Sequence, residues 1–232
     1  MKKIFAILTA LCLGLLCFST LVMAEDKQDD VDRLQKSADV LHQIMATPDK
    51  GIPEEVLDNA KCVAVVPHLI KGGFVFGAKH GRGVATCRTA HGWSAPSFFT
   101  VTGGSWGAQI GVEGVDLVML VMNDKGMQQL LNSKFQIGGE ASAAAGPVGR
   151  HASADTDWKL NTEILTYSRS KGAFAGVTLE GAGIAQDQDA IHEMYGKDYT
   201  PRQILTGAVA APPAAHPFLA AVQNAKTVAA NK

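Results

Sequence analysis

The chain has 232 residues, of which 47% are hydrophobic and 19% charged, with 21 lysines and arginines against 22 aspartates and glutamates. This near-neutral balance argues against nucleic acid as a partner, since nucleic-acid-binding domains carry a clear basic excess. The length suits one domain with a full core.

The first 24 residues have a secretory layout. Lys2 and Lys3 form a charged n-region, Ile4 to about Met23 is apolar, and Val22-Met23-Ala24 sets small residues at −3 and −1 before Glu25. Cleavage after Ala24 removes two lysines and no acid, leaving 208 residues with 19 bases, 22 acids and a net charge of −3. Roughly 20 apolar residues are also enough for an uncleaved single-pass anchor. Cys12 and Cys17 each follow leucine, which does not suit lipoprotein processing. The remaining cysteines, Cys62 and Cys87, would meet an oxidising compartment on export and could form a disulfide there. Two buried thiols on neighbouring strands is the alternative reading.

From Asp29 to Thr47 the apolar positions Val31, Leu34, Ala38, Leu41 and Met45 recur at spacings of three and four, which predicts an amphipathic helix ended by Pro48. A second helix is predicted from Pro53 to about Lys61, with Glu54 and Glu55 favourably placed against its dipole. The period then becomes that of strands, over 62–66, 74–79, 84–88, 97–102, 108–112 and 115–122. Glycine-containing turns such as His80-Gly81-Arg82-Gly83 and Ala90-His91-Gly92 separate them. A short helix over 125–131 precedes further strands over 135–145, 164–168 and 173–179. Thr200-Pro201 opens a helix that stops at Gly207, residues 208–217 read as a linker, and 218–232 as a tail helix or a disordered end. The expected fold is α+β, an antiparallel barrel- or sandwich-like sheet core with N- and C-terminal helices packed on it. The expected division is a signal peptide over 1–24, one domain over 25–207 and a tail over 208–232.

Of the 24 glycines, 20 fall between Gly72 and Gly183, among β-branched and aromatic residues. Glycine within strands marks bulges, bends or close approach of another backbone or a ligand. No cluster of acids, bases or metal ligands accompanies them, so the pattern points to a binding module rather than an enzyme.

Three chemical motifs lack their context. Gly103-Gly104-Ser105-Trp106-Gly107 has the form of a nucleophile elbow, with Asp187 and His192 following in hydrolase order, but Ala108 to Met122 cannot supply the helix an elbow requires. Tyr167-Ser168-Arg169-Ser170-Lys171 has a dehydrogenase-like Tyr-x-x-x-Lys spacing without a dinucleotide fingerprint. His192-Glu193-Met194-Tyr195 lacks the second histidine of a zinc helix, and histidines 68, 80, 91 and 151 read as loop residues. No metal or cofactor is expected.

Several motifs recur in one order along the chain: Phe74-Val75-Phe76-Gly77, Gly81-Arg82-Gly83-Val84, Gly92-Trp93-Ser94-Ala95-Pro96, Gln109-Ile110-Gly111, Ala145-Gly146-Pro147-Val148-Gly149-Arg150 and Tyr167-Ser168-Arg169-Ser170-Lys171-Gly172. In these the chain resembles the SYLF family of lipid-binding domains, from about Leu34 to Gly207. The resemblance implies phospholipid-headgroup binding without catalysis, in a stand-alone exported bacterial form that is periplasmic and peripheral to a membrane. Actin binding, known for some fungal members, is not carried over to an exported chain. The predicted N-terminal helix is acid-rich here, which favours ordinary phospholipids over phosphoinositides.

On this reading Lys71, Arg82, Arg88, Arg150, Lys171 and Trp93 are the expected headgroup contacts. Val31, Leu34, Leu41, Phe98 and Phe99 are the expected membrane contacts. The alternatives are an envelope structural or stress protein acting through protein contacts, and, as a lesser reading, a Ser105 hydrolase.

Overall fold

The computed structural model describes residues 27–47, 51–73, 76–106, 111–148, 162–170, 173–174 and 179–230. Helix α1 spans 27–46. Leu34, Ala38, Leu41 and Met45 form its buried stripe, with Ile44 beside them. Helix α2 (Glu54–Asn59) buries Val56 and Leu57 and leads into the sheet.

The strands are β1 (Cys62–Gly73), β2 (Phe76–Thr89), β3 (Gly92–Trp93), β4 (Ser97–Trp106), β5 (Gly111–Val121), β6 (Lys134–Gln136), β7 (Ala143–Ala145), β8 (Ile164–Ser170), β9 (Ala173–Phe174) and β10 (Gly183–Gln186). Their order is β6-β10-β4-β2-β1-β5-β8-β7, with β3 beside β2 and β9 beside β8. Pairing is antiparallel except between β7 and β8. The two ends of this path, β6 and β7, are consecutive in the chain, and Ile137 bridges Ala141 between them. The sheet is therefore strongly curled, an antiparallel half-barrel, and the fold is α+β.

Alternation along the strands fills both faces. Val63, Val65, Val84, Phe98, Val118, Leu120, Leu165 and Tyr167 join the core shared with the helices. Ala64, Val66, Leu69, Val101, Leu117 and Met119 face the inside of the curl, where Phe135 and Ile137 complete the packing. Cys62 and Cys87 are cross-strand partners on this inner side and form a disulfide.

One predicted break is not a break. His80-Gly81-Arg82-Gly83 reads as a turn in sequence, yet β2 runs through it without interruption. The glycines are required by packing instead: a Cβ on Gly81 would lie 2.6 Å from Val66 Cγ1, and one on Gly83 2.7 Å from the Val65 carbonyl oxygen. His80 is accordingly a strand residue, and His68 sits in a bulge at φ 61° between Val66 and Leu69. His151 lies outside the described residues.

Helix α3 (Asp124–Leu130) is N-capped by Asn123, whose side chain accepts from the Gly126 N–H. The predicted strand over 135–145 is instead split into β6, a turn with Gly138 at φ 92°, and β7. Helix α4 (Gln188–Tyr195), which hydrophobic spacing did not reveal, starts at an Asp187 cap and stops at left-handed Gly196. Thr200 and Gln203 form a capping box on α5 (Pro201–Leu205).

The segment set apart as a tail is part of the domain. After a 3-10 turn over Pro213–Ala215, α6 (His216–Ala230) drives Phe218, Ala221, Val222 and Ala225 into the helix-side core.

Candidate functional site

Of the basic residues grouped by sequence, Lys71, Arg82 and Arg88 are described, and they do not gather at one site. Arg82 reaches Asp30 and Asp187, each at 3.2 Å, and Arg33 reaches the same two carboxylates at 2.6 and 3.0 Å. The Arg33 guanidinium also lies 5.3 Å over the Phe98 ring. This network fastens α1 to β2, β4 and the cap of α4. Burial raises the Asp30 carboxyl pKa despite Arg33 and Arg82, and burial lowers that of Arg33. Burial acts on Asp187 too, but Arg33 and Arg82 outweigh it and hold that carboxyl below its ordinary value.

Arg88 lies near the C-terminal end of β2, roughly 20 Å of strand from Arg82 at about 3.3 Å per residue. Its guanidinium donates to the carbonyls of Ala60 at 2.9 Å and Leu57 at 3.0 Å and stacks 4.5 Å over Trp93. It closes the C-terminal end of α2, and Trp93 packs half-buried against the helix-side core. Arg150 and Lys171 lie outside the described residues.

The expected membrane contacts need correction. Leu34, Leu41 and Phe98 are fully buried and Phe99 is 4% exposed, so they are core residues, and Val31 packs half-buried on that core. The apolar stripe of α1 is spent on its own domain. Among the described residues, no helix is long and apolar enough to cross a membrane.

The enzyme-like motifs come apart in space. Ser105 lies within β4, and the next described element is again a strand. Asp187 is held by Arg33 and Arg82, while the His192 ring meets Asp198 at 2.8 Å. Tyr167 sits on a strand, donates to the Pro147 carbonyl at 3.1 Å, and has its hydroxyl pKa pushed up by burial. Among the described residues, no three His, Cys, Asp or Glu side chains are placed to hold a metal ion.

What the fold does bring together is an end of the sheet that runs past the helix layer. Helix α1 crosses the helix-side face at the level of Arg82, and its Gln43 meets Arg169, the β8 partner of Asp116. Beyond that level β1, β2, β4 and β5 run on. On the same face Ile70 pairs with Gly114 and His80, and one row further Gly72 pairs with Val112 and Ala78. Ile70 is 42% exposed and Val112 82%, large apolar side chains standing among glycine, alanine and histidine. On the reverse, inner face Lys71 pairs with Lys79 and Glu113, and the Lys71 ammonium lies 3.7 Å from the Glu113 carboxylate. Ile70 and Val112 were not among the expected contacts. A sequence signal for the lysine pairing existed: Lys71-Gly72-Gly73 and Gly77-Ala78-Lys79 mirror each other about Val75, as the register of one hairpin requires.

A family model described as "Ysc84: Las17-binding protein actin regulator" matches residues 102–225. Protein YSC84 of Saccharomyces cerevisiae is 36% identical over 180 residues, which are 76% of this chain and 38% of that protein. The SH3 domain-containing protein PJ696.02 of Schizosaccharomyces pombe is 38% identical over 185 residues, 78% of this chain and 43% of its own length. SH3 domain-containing YSC84-like protein 1 of Rattus norvegicus is 34% identical over 167 residues, 71% and 49% of the two chains. The chain thus belongs to the Ysc84 (SYLF) family. It spans from about two fifths to half the length of these relatives.

Proposed function

We propose that this chain is an exported, non-catalytic protein that binds phospholipid at a membrane surface, docking through the end of its sheet that runs past the helix layer. The observation that carries this reading is the exposure of Ile70 and Val112 on one face of the sheet, past the edge of the helix layer. Large apolar side chains that protrude from a sheet suit contact with the hydrocarbon edge of a membrane. The signal-like N-terminus and the Cys62–Cys87 disulfide support export, because disulfides persist in oxidising compartments. The periplasmic face of a membrane is the place this combination suits.

Flotation of the exported protein with phosphatidylcholine vesicles, with and without phosphatidylglycerol, at low and high salt, tests the reading. Binding strongest with the anionic vesicles at low salt is expected, and no binding in any of the four conditions refutes it. A protein-contact reading is favoured by the names of the relatives, which include a Las17-binding protein. Recovery of one stoichiometric protein partner by a chain that ignores vesicles would establish that reading instead.

A further inference from the structure

Exposed Ile70 is bracketed by two imidazoles. Its register partner on β2 is His80, itself exposed, and its partner on β5 is Gly114. Residues so opposed carry their side chains on one face with Cβ atoms about 4.5–5.5 Å apart. Gly114 has no side chain, and the space above it is taken by the ring of exposed His68: a Cβ on Gly114 would overlap that imidazole. His68 reaches this place through the bulge in β1, at φ 61°, and among the described residues no other non-glycine residue has a positive φ. That conformation is disfavoured for a residue with a Cβ. The Asp116 carboxylate supports it by accepting from the His68 N–H at 3.2 Å. The row thus reads His80, Ile70 and the His68 ring, with Val112 one row beyond on the same face.

The charged groups around the two rings come from four elements besides their own strands. His80 lines a groove with Asp30 of α1, Arg82, the α4 cap Asp187, and Asp189 and Glu193 of α4. Beside His68 stand Asp116 of β5 and Arg169 of β8, paired at 3.2 Å, while Lys71, Lys79 and Glu113 lie on the reverse face. The Asp30 carboxyl, which burial raises, is 1% exposed and turned to Arg33 and Arg82. Imidazole is the ordinary side chain that changes its charge between about pH 8 and 5. Mild acid therefore adds positive charge on both sides of Ile70.

We propose that His68 and His80 make docking at this face acid-sensitive: protonated, they surround Ile70 with positive charge and draw it to anionic lipid, and neutral, they leave docking to the apolar side chains. This rests on the membrane reading above and names how that same face is regulated. An imidazole has an apolar body and a polar edge, so it can lie at the boundary of the hydrocarbon with its N–H groups turned to phosphate. A positive charge brought to an anionic membrane surface is worth about fivefold in partitioning, so two give roughly 25-fold when both rings are charged.

The test is co-sedimentation of the protein with sucrose-loaded phosphatidylcholine–phosphatidylglycerol vesicles, and with phosphatidylcholine vesicles, at about pH 7.5 and about pH 5.5. Partitioning onto the anionic vesicles is expected to rise about tenfold or more on acidification, and onto the neutral vesicles by less than about twofold. The double variant His68→Asn, His80→Gln, in which asparagine tolerates the left-handed backbone, is expected to lose the rise and keep its binding at the higher pH. His80→Gln alone, which leaves the bulge intact, is expected to cut the rise to about threefold, and His80→Lys to raise binding at the higher pH by about fivefold. His91→Gln, in the turn between β2 and β3, is expected to keep the full rise. Thermal unfolding at both pH values identifies the folded variants. Wild-type binding to anionic vesicles that is equal at the two pH values, or a rise that persists undiminished in folded His80→Gln, overturns the role of the histidines and leaves membrane docking standing. No binding at either pH refutes docking and the histidine control together.

Discussion

Replacing Ile70 and Val112 together by serine isolates the apolar part of the proposed membrane docking, because both side chains are exposed, at 42% and 82%, and neither belongs to the core. Full burial of an aliphatic side chain is worth about 1.5–3 kcal/mol; taking about 1.5 for valine and about 2 for isoleucine, and scaling by exposure, gives ~1.2 and ~0.8 kcal/mol. The sum of about 2 kcal/mol corresponds to a loss of roughly 30-fold in vesicle partitioning. Co-sedimentation with sucrose-loaded anionic vesicles over a range of lipid concentration measures the partition coefficient, and thermal unfolding verifies that the fold is retained. A folded double variant whose partitioning falls less than about threefold refutes insertion by these two residues.

Three further outcomes test how the scaffold is held. Replacing Cys62 and Cys87 by serine should cost on the order of 3.5 kcal/mol for a separation of 25 residues, read as a lower urea midpoint that reductant no longer shifts. Asp187→Asn keeps a side-chain acceptor for the Ala190 N–H but uncouples buried Arg33, and should cost about 3–5 kcal/mol at neutral pH. The native Asp187 carboxyl titrates below its unfolded value, so its contribution is complete above about pH 4 and disappears as pH falls through the native pKa. Urea titrations of Asp187→Asn and wild type should therefore converge in strong acid, and a gap independent of pH would contradict the ionic account. Arg88→Met should destabilise by about 2 kcal/mol through lost hydrogen bonds to Ala60 and Leu57 while leaving vesicle binding unchanged. A selective loss of vesicle binding would restore Arg88 as a headgroup contact.

Local periodicity made much of the fold legible. The stripe from Val31 to Met45 identified α1 and its buried side, and Thr200-Pro201 identified α5 with its cap. Sequence could not tell a glycine that turns the chain from one that admits a neighbour. Gly81 and Gly83 are of the second kind, and the atoms that exclude a side chain there come from β1 and β4. Phe135 to Ala145 reads as one strand because only the curl of the whole sheet assigns its halves to opposite ends of the path. The basic residues suffered most from this limit. Arg82 and Arg88 look free in sequence, but their partners, Asp30, Asp187, Leu57 and Ala60, lie 28 to 105 residues away. Lys71 and Lys79 were within reach, since their mirrored setting in one hairpin implies their register.

The most direct measurement of the central claim is insertion depth. An environment-sensitive fluorophore is attached at Val112→Cys, or at Asp58→Cys on α2, and titrated with anionic vesicles bearing a lipid-linked quencher. The account predicts a blue shift and strong quenching at 112, with neither at 58. Equal signals at the two sites, or a response at 58 alone, would contradict docking through the end of the sheet that runs past the helix layer.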